Sequence, residues 1–229
     1  MSRYSRLLVL AMTTMVVGAT IFTAGCGDSG HAQLRVVHAS PDAPNVDVLV
    51  DGKTVLTNVA YETASNYLTV GAGSRKIEVR ATGTSQEVIS ATVSLSRNKY
   101  YTVLAVDKLA NITPLVLTDD NTPPASGQIK LRLVHASPTA GPVDIYVEAP
   151  GAGVTGSPTL TNVAFKTASS YLAVPAGSYE VYFTPTGTKT VALDSGSLSL
   201  SAGQIRTAVA LDAPGGGTPL TAIVLKDLN

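Results

Sequence analysis

The sequence contains the same pattern twice, and this internal repeat constrains the fold more than any other feature. Residues 34–41 (LRVVHASP) return at 131–138 with seven of the eight residues identical. Residues 57–74 return at 161–178 with 13 of 18 identical. A period of about 100 residues matches a small domain and is too long for a solenoid unit. The repeat therefore predicts two similar domains in tandem.

The repeat also sets the expected boundaries along the chain. The segments are 1–25, a signal peptide; 26–32, a tether; 33–119, the first domain; 120–128, a linker; and 129–229, the second domain. The linker contains Pro123 and Pro124, and its composition is typical of a semi-stiff connection. We expect the two domains to fold independently, because roughly 90–100 residues can bury a core without disulfides.

Apolar and polar residues alternate with a period of two through both repeats, which is typical of strands with one buried face. Turn residues such as Asp51-Gly52 separate the alternating runs. In the first repeat we expect strands at about 33–38, 45–50, 53–57, 66–70, 74–81, 87–95, 99–107 and 112–117. The sequence therefore predicts an all-β fold of two tandem β-sandwich, immunoglobulin-like domains.

The N-terminus resembles a bacterial lipoprotein signal peptide. Arg3 and Arg6 precede an apolar run, 7–22, that is too short for a membrane-spanning helix of about 20 residues. Ala24-Gly25-Cys26 follows and resembles the lipobox, whose cysteine is acylated and becomes the new N-terminus. The alternative is an ordinary signal peptide that contains a cysteine. We expect a lipid on Cys26 and a location in the cell envelope, at the outer membrane if the cell has one, because Gly27 follows rather than aspartate.

Composition agrees with an exported protein and excludes one class of partner. Cys26 is the only cysteine, so no disulfide framework is expected. The whole chain has 16 basic and 16 acidic residues, and it has no run of lysine or arginine. Nucleic acid is therefore not an expected partner.

The opening of each repeat points to a known family. Residues 36–44 (VVHASPDAP), followed by Val46-Asp47-Val48 and Asp51-Gly52, resemble the start of the bacterial domain of unknown function 4397 family. In the second repeat 134–138 and 143–145 match the same pattern. The resemblance covers nearly all of residues 33–228. It implies an all-β, secreted or envelope-attached module, often in tandem, with no established activity and no catalytic residues to carry over.

One set of polar residues recurs at the same spacing in both repeats. Its members are His38, Ser40 and Asp47, and then His135, Ser137 and Asp144. A Ser-His-Asp set suggests a hydrolase. However, the histidine and serine lie two apart at one strand end, so their side chains point the same way without facing each other. We favour a structural polar corner in which the histidine hydrogen-bonds a neighbouring strand and the aspartate is its charged neighbour.

No catalytic residue, metal or cofactor is predicted. One histidine and one aspartate per repeat are too few for a zinc site. Residues 151–156 spell G-x-G-x-x-G, but Pro158 and a strand follow rather than a helix, so a dinucleotide site is not expected. These residues belong to 148–158, a stretch that makes the second repeat longer. We expect it to form an exposed hairpin extension whose removal is tolerated.

The favoured function is therefore a structural, binding or adhesion role without catalysis. The expected partners are the membrane, through the N-terminal lipid, and a protein or polysaccharide ligand. A carbohydrate- or polymer-binding module, with 148–158 as a contact, is the alternative, and an aromatic platform would favour it. A hydrolase is the third hypothesis, and an accessible pocket joining histidine, serine and aspartate would favour that one.

Overall fold

Alternating side chains build the strands of both repeats, in the order that the sequence predicts. A computed structural model describes residues 30–228. The strands of the first repeat are β1 (His31–Ala39), β2 (Val46–Val50), β3 (Lys53–Val59), β4 (Leu68–Gly71), β5 (Gly73–Ala81), β6 (Glu87–Leu95), β7 (Tyr100–Val106) and β8 (Thr113–Asp119). A single 3-10 turn, Leu109–Asn111, joins the last two. All eight expected strands of this repeat are confirmed, with their ends shifted by two residues or fewer.

The second repeat follows the same plan with more interruptions. Its strands are β9 (Gln128–His135), β10 (Val143–Glu148), β11 (Leu160–Val163), β12 (Thr167–Ala168), β13 (Leu172–Pro175), β14 (Gly177–Pro185), β15 (Leu193–Asp194), β16 (Leu198–Leu200), β17 (Ile205–Leu211) and β18 (Thr221–Leu228). The expected tether ends earlier than predicted, because its last two residues, His31 and Ala32, already belong to β1.

Each repeat is a sandwich of two sheets. In the first repeat the sheet orders are β4-β1-β7-β8 and β3-β2-β5-β6, and in the second the corresponding sheets contain β9 and β10. The strand that opens each repeat pairs in parallel with a late strand, β1 with β7 and β9 with β17. Apolar side chains such as Leu34, Ile77 and Val103 fill the space between the sheets of the first repeat. The predicted fold class, all-β with two tandem β-sandwiches, is confirmed.

The two sandwiches share a third apolar core. Val37 and Leu104 of the first repeat pack in one buried cluster with Val134 and Val209 of the second. The β1 and β9 sheets are therefore buried on both faces, one toward their own sandwich and one toward the other repeat. This explains why every residue of β1 from Leu34 to Ala39 is buried, rather than every second residue. The sequence predicts a separate core in each repeat, and it does not predict this third core between them.

The two repeats have the same orientation, so the first strands of both, β1 and β9, begin at the same end of the molecule. Tyr100 lies opposite Gln33 and Asp119, and a 2.6 Å ion pair joins Asp120 to Lys130 at the start of β9. We call this end, with Gly30, the turn 96–99 and residues 120–127, the linker end. The opposite end, with residues 40–45, 136–142 and 212–217, is the corner end. No helix within residues 30–228 has the length and apolar character needed to span a membrane.

Candidate functional site

The two histidines are buried and hydrogen-bonded at the corner end. Nε2 of His38 lies 3.0 Å from the carbonyl oxygen of Pro44, to which it donates, and Nδ1 accepts from the Ser40 amide at 3.4 Å. His135 repeats the first contact, with Nε2 2.7 Å from the carbonyl of Gly141. Burial lowers the pKa of both rings, against the opposing effect of these carbonyls. Both imidazoles are therefore neutral at pH 7.

The aspartates of the recurring set lie elsewhere. Asp47 is on the other sheet, where its carboxylate accepts from the Asn58 amide at 2.8 Å and from the Thr82 hydroxyl at 2.9 Å. Asp144 accepts from the Asn162 amide at 2.8 Å in the same way. Each carboxylate closes a turn of its own sheet. The structure thus brings the histidine and serine of each repeat together and separates the aspartate from them.

A different aspartate, which the sequence pattern did not indicate, completes the corner of the second repeat. Ser137 donates a short hydrogen bond to Asp212, and Thr139 donates to the same carboxylate at 2.9 Å. The Gly217 amide binds its other oxygen at 3.0 Å. Ser137, Asp212 and the neighbouring histidine are fully buried. A substrate has no access to this cluster, and its hydrogen bonds hold the loop 212–217 in place.

The first repeat lacks this arrangement, although its sequence is similar. Asp107 stands at the position of Asp212 but forms a 3.0 Å ion pair with Lys166 of the other repeat. Consequently the buried Ser40 hydroxyl has no hydrogen-bond partner among residues 30–228, and neither has Nδ1 of His135 in the other corner. The two corners therefore differ in hydrogen bonding, and neither forms a triad.

Buried ion pairs cross between the repeats in a pseudo-symmetric arrangement. Arg35 pairs with Asp227 at 2.5 Å, and Arg132 pairs with Asp119 at 2.6 Å. Both arginine side chains are 3 % exposed, and both carboxylates are fully buried. Each guanidinium also donates to a threonine of its own sheet, as Arg35 does to Thr102 at 3.0 Å. In both repeats the sequence places an arginine inside an apolar strand run, and this feature indicates that the arginine has a buried partner.

Two tyrosines cover the crossing ion pairs. The Tyr67 ring stacks on the Arg35 guanidinium at 4.8 Å, and its hydroxyl donates to Asp119 at 2.6 Å. In the second repeat the Tyr171 ring stacks on the Arg132 guanidinium, with 4.7 Å between the guanidinium carbon and the ring centre. Burial and the nearby carboxylate raise the pKa of both tyrosines. The hydroxyls therefore stay protonated and act as donors that satisfy the buried carboxylates.

An open groove of about 520 Å³ lies at the linker end. We call it the linker groove, and its lining includes Asn98, Lys99, Tyr100, Asp120, Asn121 and Thr122. The half-buried Tyr100 ring packs edge-to-face on Tyr67 at 5.2 Å. Hydrogen bonds from Lys130 and Thr122 lower the pKa of Asp120 to about 2, so one wall of the groove carries an ionised carboxylate paired with Lys130.

A second groove, of about 380 Å³, belongs to the second repeat. We call it the edge groove, and it is lined mainly by apolar side chains together with Tyr179. Tyr179 donates to the carbonyl of Pro175 at 2.7 Å. In the first repeat Arg75 occupies the position of Tyr179 and bonds the carbonyls of Gly71 and Ala72 at 2.8 and 2.6 Å. The outer surfaces of the two repeats thus differ at this position.

The stretch 148–158 joins the paired strands β10 and β11 and is hydrogen-bonded to its own sheet. The Gly151 amide donates to Glu180 at 2.9 Å, and Lys189 donates to the carbonyl of Gly156 at 3.1 Å. Tyr146 and Tyr182 face outward on this sheet yet are only 3 % and 5 % exposed. The hydrogen bond with Glu180 raises the pKa of Tyr182 to about 12. The expectation of an exposed hairpin extension is confirmed, because seven of its eleven residues are exposed and β10 pairs antiparallel with β11. Its hydrogen bonds to the sheet were not expected, and that its removal is tolerated stays a prediction.

Potential ligands for a metal are scattered. Residues 30–228 contain no cluster of three or more histidine, cysteine, aspartate or glutamate side chains that could hold a metal ion. Cys26, the predicted lipidation site, and the signal peptide lie outside the described residues.

The comparison of the sequence with protein-family models identifies the family. The model described as "Domain of unknown function (DUF4397)" matches residues 32–146 and 151–229. The chain belongs to the DUF4397 family. The unmatched residues between the two segments, 147–150, lie where the longer stretch of the second repeat begins. No curated protein matches the sequence.

Solved structures similar to this DUF4397 chain include two glucan-binding proteins. One is CBMbc (family CBM26) from Eubacterium rectale Amy13K in complex with maltoheptaose, at 11 % identity over 86 % of this chain and 98 % of that one, with a TM-score of 0.29. The other is titled alpha-glucan binding by a streptococcal virulence factor, at 11 % identity over 74 % and 88 % of the chains, with a TM-score of 0.25. Likenesses at TM-scores this low carry no argument about function.

Proposed function

We propose that this DUF4397 protein is a non-catalytic binding protein of the bacterial cell envelope, held to a membrane by a lipid on Cys26. The anchor is supported by Ala24-Gly25-Cys26 after a short apolar run. The position of β1 agrees with it, because the first strand begins at His31, five residues after the cysteine. The outer membrane is the proposed location if the cell has one.

The binding role is supported by a comparison of the polar residues that both repeats contain with those that only the first repeat contains. The shared polar residues, such as Arg35 and Arg132, are used to hold the molecule together. The turn that lines the linker groove is not shared. Arg97-Asn98-Lys99-Tyr100 of the first repeat is replaced by Ala202-Gly203-Gln204-Ile205 in the second. Polar and aromatic residues that open onto a groove without a structural counterpart are typical of a binding surface. This observation carries the proposal.

Burial of the hydrolase candidates supports a role without catalysis. His135 and Ser137 are both fully buried, and neither lines the linker groove or the edge groove. Nucleophilic attack requires contact between the serine oxygen and a substrate carbonyl. The hydrogen bonds of these two residues go to Gly141 and Asp212, which accounts for their presence in structural terms.

The anchor is tested by metabolic labelling with a palmitate analogue. We expect label in the wild-type protein and none in the Cys26→Ser variant, which should move from the membrane to the soluble fraction. Equal labelling of both forms would contradict the anchor. The absence of catalysis is tested with a fluorophosphonate probe, and labelling that Ser137→Ala eliminates in a folded protein would favour the hydrolase instead.

A further inference from the structure

We infer that the linker groove binds a saccharide and that Tyr100 is the surface on which a sugar ring stacks. This inference rests on the proposed binding function and names its site. The groove volume of about 520 Å³ lies within the range of roughly 300–1,000 Å³ that is usual for ligand clefts.

The chemistry of the lining suits hydroxyl-rich ligands. A sugar presents many hydroxyls that both donate and accept, together with an apolar face of ring C–H groups. Asn98 supplies an amide group, and Lys99 supplies an ammonium group that forms no ion pair within residues 30–228. The side-chain oxygen of Asn121, in contrast, is buried. Amides pair with hydroxyls in both directions. The half-buried ring of Tyr100 offers the aromatic face against which the apolar side of a sugar packs.

Tyr100 is held rigidly before any ligand arrives. It packs edge-to-face on Tyr67, with the ring planes at 84°. Tyr67 is itself fixed from two sides, by its hydrogen bond to Asp119 and by the guanidinium of Arg35. The stacking surface therefore rests on the buried ion pairs that join the repeats. A side chain that is already ordered loses little conformational entropy when a ligand binds, which favours affinity.

The second repeat supplies an internal comparison. Its β16–β17 turn has the same place in the fold, but Gly203 and Ile205 stand where the first repeat has Asn98 and Tyr100. Ile205 is fully buried, so no aromatic ring is presented at that position. The sandwich therefore forms without the aromatic and amide side chains at this turn. Asn98 and Gly203 both adopt a left-handed backbone, with φ of 59° and 88°, so the turn itself accounts for the asparagine. The aromatic ring of Tyr100, present in one repeat alone, is the feature that we assign to binding.

The place of the groove also limits where the saccharide comes from. The linker groove lies at the same end as Gly30, four residue steps from Cys26. A fully extended chain spans at most about 3.5 Å per residue, so Gly30 lies within roughly 14 Å of the lipid-bearing cysteine. The groove thus faces sugars close to the anchoring membrane. These are either the headgroup of a glycolipid or the free glycan chains of the envelope.

The experiment uses the soluble Cys26→Ser chain with two kinds of probe. One arm measures binding to an array of soluble bacterial oligosaccharides. The other measures binding to phosphatidylglycerol vesicles with and without a glycosyl-diacylglycerol. Binding in the first arm identifies a free glycan, and binding only to the glycolipid vesicles identifies a headgroup. The chain contains nine tyrosines and no tryptophan, so the part of the fluorescence quenching that the Tyr100→Phe variant loses is the part that reports on the groove.

Matched variants locate the site. Tyr100→Ala should weaken binding at least about tenfold, a loss of about 1.4 kcal/mol, whereas Tyr100→Phe keeps the ring and should stay within about threefold. Tyr179→Ala, in the edge groove, is the control and should leave affinity unchanged. Thermal unfolding of each variant separates lost binding from lost folding. The inference is overturned if no probe binds or if a folded Tyr100→Ala variant binds as the wild type does. Neither result affects the lipid on Cys26, which the labelling experiment tests separately.

Discussion

At positions 35 and 132 an arginine interrupts an apolar strand, and its partner lies in the other repeat. Removing a charge from water costs several kcal/mol, and the pairing with Asp227 or Asp119 offsets that cost only while both partners are present. The threonine and tyrosine contacts satisfy the remaining donors and acceptors. Such a pair adds little net stability compared with apolar residues, but it fixes which surfaces meet.

The first prediction concerns the loss of one partner. Arg132→Ala removes the 2.6 Å partner of the buried Asp119 carboxylate and leaves it a 3.8 Å contact with Arg35 and a hydrogen bond from Tyr67. We therefore expect the free energy of unfolding to fall by about 3 kcal/mol. Lys166→Ala is the control, because it removes a half-exposed pair that also crosses between repeats and should cost less than about 1 kcal/mol. Urea denaturation of both variants gives the comparison, and similar costs would contradict this account of the buried pair.

The second prediction concerns the pH dependence that the two corner histidines impose. Burial lowers their pKa in the folded protein, so below the unfolded value of 6.5 the unfolded chain binds more protons. The contribution of the two neutral histidines to the free energy of unfolding is fully present above that pH and is lost as the pH falls below it. We expect the urea midpoint to decrease between about pH 7.5 and pH 5.5, and the double variant His38→Gln, His135→Gln to flatten this dependence. A slope unchanged in the variant would assign it to other groups.

Among the elements, the stretch 148–158 shows best how an insertion is accommodated. In the first repeat the outer face of the β2–β5 sheet carries charges, and Lys76 and Arg80 both pair with Glu78. In the second repeat Tyr182 stands at the position of Glu78, and the inserted residues lie over it. Because tyrosine rings are poorly solvated, an outer face that contains them is stabilised by a covering segment.

The third prediction concerns removal of that cover. Replacing 147–161 with residues 50–57 exposes Tyr146 and Tyr182, and we expect the free energy of unfolding to fall by about 2 kcal/mol or more. Thr155→Ala, at an exposed position of the same stretch, should change it by less than about 0.5 kcal/mol. Denaturant unfolding measures both. A replacement that costs less than about 1 kcal/mol would show that the stretch is dispensable for folding.

The whole molecule has one continuous apolar contact between its halves. The shared core, which includes Val37, Leu104, Val134 and Val209, is of the same kind as the cores inside each sandwich. Two buried ion pairs and further hydrogen bonds, such as that from Tyr61 to the carbonyl of Asp212, cross the same surface. Large apolar contacts of this kind couple the unfolding of the parts that they join.

The fourth prediction follows at this scale. We expect a single calorimetric unfolding transition, and we expect chain cleaved between residues 120 and 127 to elute as one particle in size-exclusion chromatography. The cut removes the covalent connection but leaves the shared core intact. Two separate transitions, or two half-sized fragments after cleavage, would show instead that the repeats fold as independent domains, as the repeat alone suggested.

Local pattern determined most of the architecture. Period-two alternation, turn residues such as Asp51-Gly52 and the repeat itself are properties of neighbouring residues, so the strands of the first repeat and the sandwich class were predictable. The tertiary structure alone decided which distant side chains meet. Arg35 and Asp227 are 192 positions apart, and no local pattern encodes that pairing. The linker groove likewise forms only when the turn at Asn98 and the residues after Asp119 come together, because the antiparallel pairing of β7 and β8 places Tyr100 opposite Asp119.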